Sequence, residues 1–305
     1  MTDHPPRDGG DTPRHTETPR PPNGLRNPDL ADDTSPESDE QRTDRKAQEA
    51  ESLDAGTTYE VIRRVGLREL DRATSALLWS GLAAGLSMGF SFLAEGLLRS
   101  HLPDAPWQPL ISKLGYSVGF LIVILGSQQL FTENTLTPIV PLLHRFSRER
   151  LRNVLRLWIA VLIANLVGAV IFATLIGRLN VVDAATQATL STLARAALAP
   201  DTFTTMLHAV FAGWLIALMV WMLPDAKTAK PMIIIIMTYL VGLGEFAHVI
   251  VGTTEVAYAA VRGEAAVGHV IFGYVLPTLL GNIIGGVTMV ASLNHAQATS
   301  GEDDD

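Results

Sequence analysis

The sequence predicts an all-α membrane protein with six transmembrane spans, two of them broken, in an inverted three-plus-three repeat. Three observations predict it. Six apolar windows succeed one another along the chain, polar residues interrupt the two longest, and an Asn-x-x-Gly step recurs in the third and the sixth.

The windows fall at roughly 73–98, 109–145, 154–177, 204–223, 230–260 and 268–293. A helix crosses the hydrocarbon with about 20 apolar residues, so the second and fifth windows are too long for one plain span. Each is read as a broken helix, with breaks near 127–136 and 243–247. Ahead of the first window, Thr57 to Arg72 reads as an amphipathic helix. Val61, Val65, Leu67 and Leu70 share one side and Arg63, Arg64 and Arg68 the other, which suits the inner membrane surface. Arginine placement sets the topology. The link after the second span carries Arg145, Arg148, Arg150, Arg152 and Arg156, and the link after the fourth carries Lys227 and Lys230. Arg99, Arg178, Arg195 and Arg262 are spread over the opposite links, so both termini are expected in the cytoplasm of an inner (plasma) membrane protein. Trp107, Trp158 and Trp221 fit the interfacial aromatic belts.

Residues 1–56 differ in kind. They are rich in Pro, Asp, Glu, Arg, Thr and Ser and nearly free of aromatics, so they are expected to form a disordered cytoplasmic tail. They lack the apolar stretch and small-residue cleavage site of a secretory signal. A membrane domain over 57–294 and an acidic tail over 295–305 complete the organisation. The formal net charge of −8 comes largely from the two ends, and no basic soluble domain exists to bind nucleic acid. The chain has no cysteine, which removes disulfides, thiolate metal sites and cysteine nucleophiles.

The two interruptions carry the chemistry. Gly126-Ser-Gln-Gln-Leu-Phe-Thr-Glu-Asn134 and Glu245-Phe-Ala-His248 put polar and ionisable groups at membrane depth. Such groups are costly there and mark solute or ion paths, and irregular backbone survives only beside protein or a water-filled cavity. Thr132 precedes Asn165 by 33 positions and His248 precedes Asn282 by 34, so the halves match and the second must enter from the opposite side. Asn165 and Asn282 serve equally well as interhelical hydrogen bonders or as pore lining. Gly81, Gly85, Gly89, Gly281, Gly285 and Gly286 read as close-packing steps. Glu95, Lys113 and Glu255 are read as interfacial, their side chains snorkelling from span ends.

At these residues the chain resembles the formate/nitrite transporter family. Gly126, Leu130, Phe131, Thr132 and Asn134 fit the pattern of its first broken helix, Pro277 and Gly281 through Gly286 that of its sixth span, and His248 its central pore histidine. The resemblance implies an aquaporin-like fold, a homopentamer and one pore per subunit. It also implies pore positions at His248, Thr132, Leu130, Phe131, Asn134, Tyr116, Val241, Gly213 and Glu245. Several depart from the family pattern. Ala247 replaces the glutamate before the histidine, with Glu245 a little earlier; Val241 replaces a constriction Phe, Gly213 a mid-span Asn, and Gln129 an acidic residue. Tyr116 stands for the first-half constriction aromatic.

The function expected from this pattern is passage of a small monovalent weak-acid anion, formate first and nitrite or hydrosulfide next, past an apolar gate at Leu130 with a proton from His248. Imidazole suits that role because its ordinary pKa is about 6.5. An aquaporin-like channel for water or a neutral solute is the alternative, since Val241 and Gly213 leave room, and a membrane sensor acting through the tail is another. No enzyme constellation or cofactor site is read; the partners are the solute, the bilayer and further copies of the chain.

Overall fold

The computed structural model describes residues 53–292, and the regular structure among them is entirely helical. Of the tails expected at 1–56 and 295–305, all but residues 53–56 lie outside the described residues.

The first helix among the described residues is α1 (Ala55–Asp71), two residues ahead of the expected boundary, because Asp54 caps it by accepting from Thr57 N at 2.7 Å. Hydrogen bonds from Arg63 and Arg64 hold Glu60 in α1 at a pKa of about 2. The buried stripe runs Tyr59, Ile62, Gly66 and Leu70, so only Leu70 belongs to the apolar side expected from sequence. Gly66 sets the rotation, because its bare Cα lies against the Thr137 carbonyl and α1 thereby docks on protein as well as facing a surface.

The membrane body begins with α2 (Thr74–His101), a plain helix. α3 (Gln108–Leu125) tightens to a 3₁₀ turn at Lys113–Tyr116, then breaks, and the chain resumes regular helix only at α4 (Ile139–His144). α5 (Arg148–Arg178) is capped by Ser147 Oγ, which accepts from Arg150 N. α6 (Ala184–Ala197), capped by Asp183, fills a link that lies between the apolar windows, since its residues are mainly Ala and Thr with little apolar contrast. α7 (Thr202–Met222) starts at the Asp201 cap. α8 (Lys230–Leu243) and α9 (Val249–Val261) flank the second break, and α10 (Val267–Thr288) widens into π-helical turns at Val270–Val275 and again from Gly285. Among the described residues five helices, α2, α3, α5, α7 and α10, are long and apolar enough to cross a membrane, while α9 is shorter. Ile159, Ile163, Phe211, Phe272 and Leu280 point outward, as expected where the surrounding solvent is lipid.

Two tight crossings build the body. On α2, a Cβ at Gly85 would overlap the Asn165 backbone of α5, and on α7 a Cβ at Gly213 would overlap the Asn282 backbone of α10. Gly168 and Gly285 answer from the opposite helices, against Leu82 and Leu86 and against Val210 and Trp214. Gly213 therefore lies in a helix contact, and the opening expected at that position is filled by α10.

Candidate functional site

Each break is held by one asparagine. Asn165 Oδ1 accepts from Phe131 N at 2.9 Å, while its Nδ2 donates to the carbonyls of Gln129 at 2.9 Å and Gly81 at 2.7 Å. Asn282 Oδ1 accepts from Val249 N at 2.9 Å, while its Nδ2 donates to Ala247 at 2.9 Å and Ala209 at 2.8 Å. Buried backbone groups cannot be left unpaired, so these amides supply what the interrupted helices lack. The structure settles the choice left open by the sequence, since every polar atom of both amides is spent on the main chain.

The backbone repeats as well. Gln128 N donates to Val123 O in the first break and Phe246 N to Val241 O in the second; Ser127 and Glu245, at corresponding places, both adopt φ of 51°. The register corrects the sequence spacing. By these bonds Leu130 corresponds to His248 and Phe131 to Val249, so Thr132 is the partner of His248 and not its counterpart.

His248 is 1% exposed and Thr132 fully buried, and Nε2 lies 2.8 Å from Thr132 Oγ1. The ring is also the N-cap of α9. Its Nδ1 faces the amides of Ile250 and Val251 at 3.3 and 3.4 Å. Nδ1 must accept there, which puts the ring proton on Nε2, pointed at Thr132. Phe120 closes over the ring edge-on at 5.0 Å. Leu130 is fully buried beside them.

The remaining expected residues separate into two groups. Phe131 packs on Trp158 at 5.8 Å, and Asn134 is tied into its own loop through Gln129 Oε1 and Leu130 O, so both brace the first break. Trp158 Nε1 donates to Asn134 O, which places that indole against the loop and not in an interfacial belt alone. Gln129 in turn donates to Glu69 of α1 at 2.8 Å. Tyr116, Val241 and Glu245 instead border a cavity of about 100 Å³ together with Glu95, Lys113 and Glu255. Glu95 is 2% exposed and pairs with Lys113 at 2.8 Å, so these two are a buried ion pair and not snorkelling ends. Phe120, Tyr274, Glu95 and Glu255 escape a sequence reading because span ends were placed by hydropathy, which does not reveal how deep a helix flank is covered. Among the described residues no cluster of His, Cys, Asp and Glu could hold a metal ion.

Apolar helices wrapped around two breaks that meet at a buried histidine define a multi-pass membrane protein of the channel and transporter class. Comparison with known proteins makes the class specific. The chain belongs to the formate/nitrite transporter family, whose profile matches residues 56–296. It is 40% identical to the inner membrane protein YfdC of Escherichia coli over 78% of this chain and 77% of that one. The formate channel FocA of Haemophilus influenzae is 23% identical, over 69% of this chain and 82% of its own. Among solved structures, an ion channel of the same family superposes with a TM-score of 0.69 at 20% identity, covering 79% of this chain and 98% of that one. A pentameric formate channel with formate bound gives 0.61 at 21%, covering 72% and 95%.

Proposed function

We propose that the protein conducts a small monovalent weak-acid anion, formate first, through a pore in each subunit, with His248 lending a proton at its midpoint. The observation that carries this reading is the 2.8 Å contact between His248 Nε2 and Thr132 Oγ1 where the two breaks meet. Nε2–H donates to the Thr132 oxygen, which leaves the threonine proton free for an arriving anion. A bare anion in a dry constriction costs several kcal/mol or more, whereas the neutral acid passes buried Leu130 far more cheaply. Net donation requires a second ring proton. That proton must load at Nδ1, which has to leave the two amides it caps.

The corresponding hydrogen bonds of Asn165 and Asn282 support a six-span inverted repeat. The positive-inside pattern supports termini in the cytoplasm. The name of the Escherichia coli relative supports an inner-membrane location, and the pentameric structural neighbour supports a homopentamer.

The test is purified protein in liposomes under a formate gradient, reading internal pH and anion uptake together. His248→Phe is expected to abolish uptake with assembly intact, and Thr132→Val to weaken it less, since a hydrogen-bond partner is lost but the proton source stays. Wild-type uptake by His248→Phe would remove the proton-donor role.

A further inference from the structure

The cavity beside Val241 carries more negative charge than an anion path calls for. Glu95 and Arg99 reach it from α2, Lys113 from α3, Glu245 from the second break and Glu255 from α9. Three carboxylates thus line the cavity with two cationic side chains and His208. Only Glu95 is paired, with Lys113. Glu245 and Glu255 form no ion pair or hydrogen bond with any described residue. Glu255 is half-buried, and an unpaired carboxylate under such cover is costly and calls for a counter-charge, whereas Glu245 is exposed where it borders the cavity.

A second observation points to a ligand. Tyr116 is 5% exposed, lines this cavity, and its hydroxyl bonds to none of the described residues. A phenol so deeply covered ordinarily finds a partner. Its ring, with those of Phe246 and Tyr274, walls the same space, and aromatic faces attract cations. The carboxylates do not converge as metal ligands do, so a bare metal ion is a poor occupant. A polyatomic cation suits separated acceptors, because each N–H can reach a different oxygen. The space of about 100 Å³ admits only a few heavy atoms.

We propose that this cavity binds one small monovalent cation of the ammonium type, held by Glu255 and Glu245, the Tyr116 hydroxyl and the aromatic walls. This is independent of proton transfer at His248. Its test is equilibrium binding of radiolabelled methylammonium to the full chain in detergent, with size-exclusion elution and thermal unfolding of the same preparations as the check of fold. Wild type should bind saturably, once per subunit. Glu255→Gln should weaken binding about tenfold or more, equivalent to ~1.4 kcal/mol. Tyr116→Phe and Glu245→Gln should weaken it severalfold, and Glu255→Asp should retain part of it. His248→Phe should leave binding unchanged, which separates this site from the transport reading. Absence of saturable binding by wild type would overturn the proposal, as would equal binding by wild type, Glu255→Gln and Tyr116→Phe; both results would mean that a proton, not a cation, neutralises the cavity.

Discussion

The two breaks share one backbone and differ in how the chain leaves them. After Gly126 the chain stays irregular, apart from a 3₁₀ turn at Glu133–Thr135, until Ile139, whereas after Gly244 a full helix resumes at Val249. The cause lies in one corresponding pair. Leu130 has no polar atom to offer the amides that come after it, while His248 turns Nδ1 on two of them and caps α9. The histidine therefore does more than occupy the second break. It ends the break, and the same ring then presents Nε2 to Thr132.

The comparison can be broken most severely at the asparagines. Asn165→Leu orphans Phe131 N and Gln129 O, and Asn282→Leu orphans Val249 N and Ala247 O, at about 1–3 kcal/mol per group. Both should abolish stable protein in detergent, measured by thermal unfolding monitored by size-exclusion. If one is tolerated and the other is not, the breaks are not equivalent. Next come Gly85→Ala and Gly213→Ala, whose added methyl groups would strike the backbones of Asn165 and Asn282. Overpacking at such a contact costs about 1–3 kcal/mol, and the two variants should fall in apparent melting temperature by similar amounts. Gly213→Ala separates two ideas directly, since a residue facing open pore would accept a methyl without loss.

These contacts also show what the sequence could reveal. Both breaks were legible near their true places, because a glycine and polar residues interrupt long apolar runs. The spacing to Asn165 and Asn282 was legible too, but only to within the identity of the bonded residue. The asparagines grip amides at Phe131 and Val249, and a main-chain donor carries no mark in the sequence. The same reason hid the burial of α1. Its strong apolar residues suggested one face, while the actual contact is set by Gly66, a residue with no side chain to announce it. The site was legible where family motif and break coincide, at His248 and Thr132, and illegible where charge is buried by distant helices, at Glu95, Lys113 and Glu255.

A finer distinction comes from giving the second break the first one's residue. His248→Leu should fray the start of α9, raising hydrogen exchange at Ile250 and Val251 by an amount matching a lost cap, about 0.5–2 kcal/mol, with α8 unchanged. Unaltered exchange there would mean that Asn282 alone restarts the helix. The smallest effect is expected at the outer caps. Backbone and side-chain hydrogen bonds from Thr186 hold Asp183 below the ordinary carboxylate value of 3.8, and those from Thr204 do the same for Asp201. A lowered folded value means the stabilisation is complete above 3.8 and fades as pH falls through the folded pKa. The difference in melting temperature between wild type and Asp183→Asn should thus be present at neutral pH and vanish in strong acid; a gap that persists there would deny the cap its charge.

Because Asn165 and Asn282 hold main-chain atoms only, their grip on both breaks does not depend on which side chains stand at positions 130, 132 and 245. Specificity and folding are thereby separable in heredity. A lineage can exchange the residues proposed to meet the solute singly, each substitution tested for use without first being tested for survival of the fold. The superposition of this chain on an ion channel of its family at 20% identity is what such freedom leaves behind.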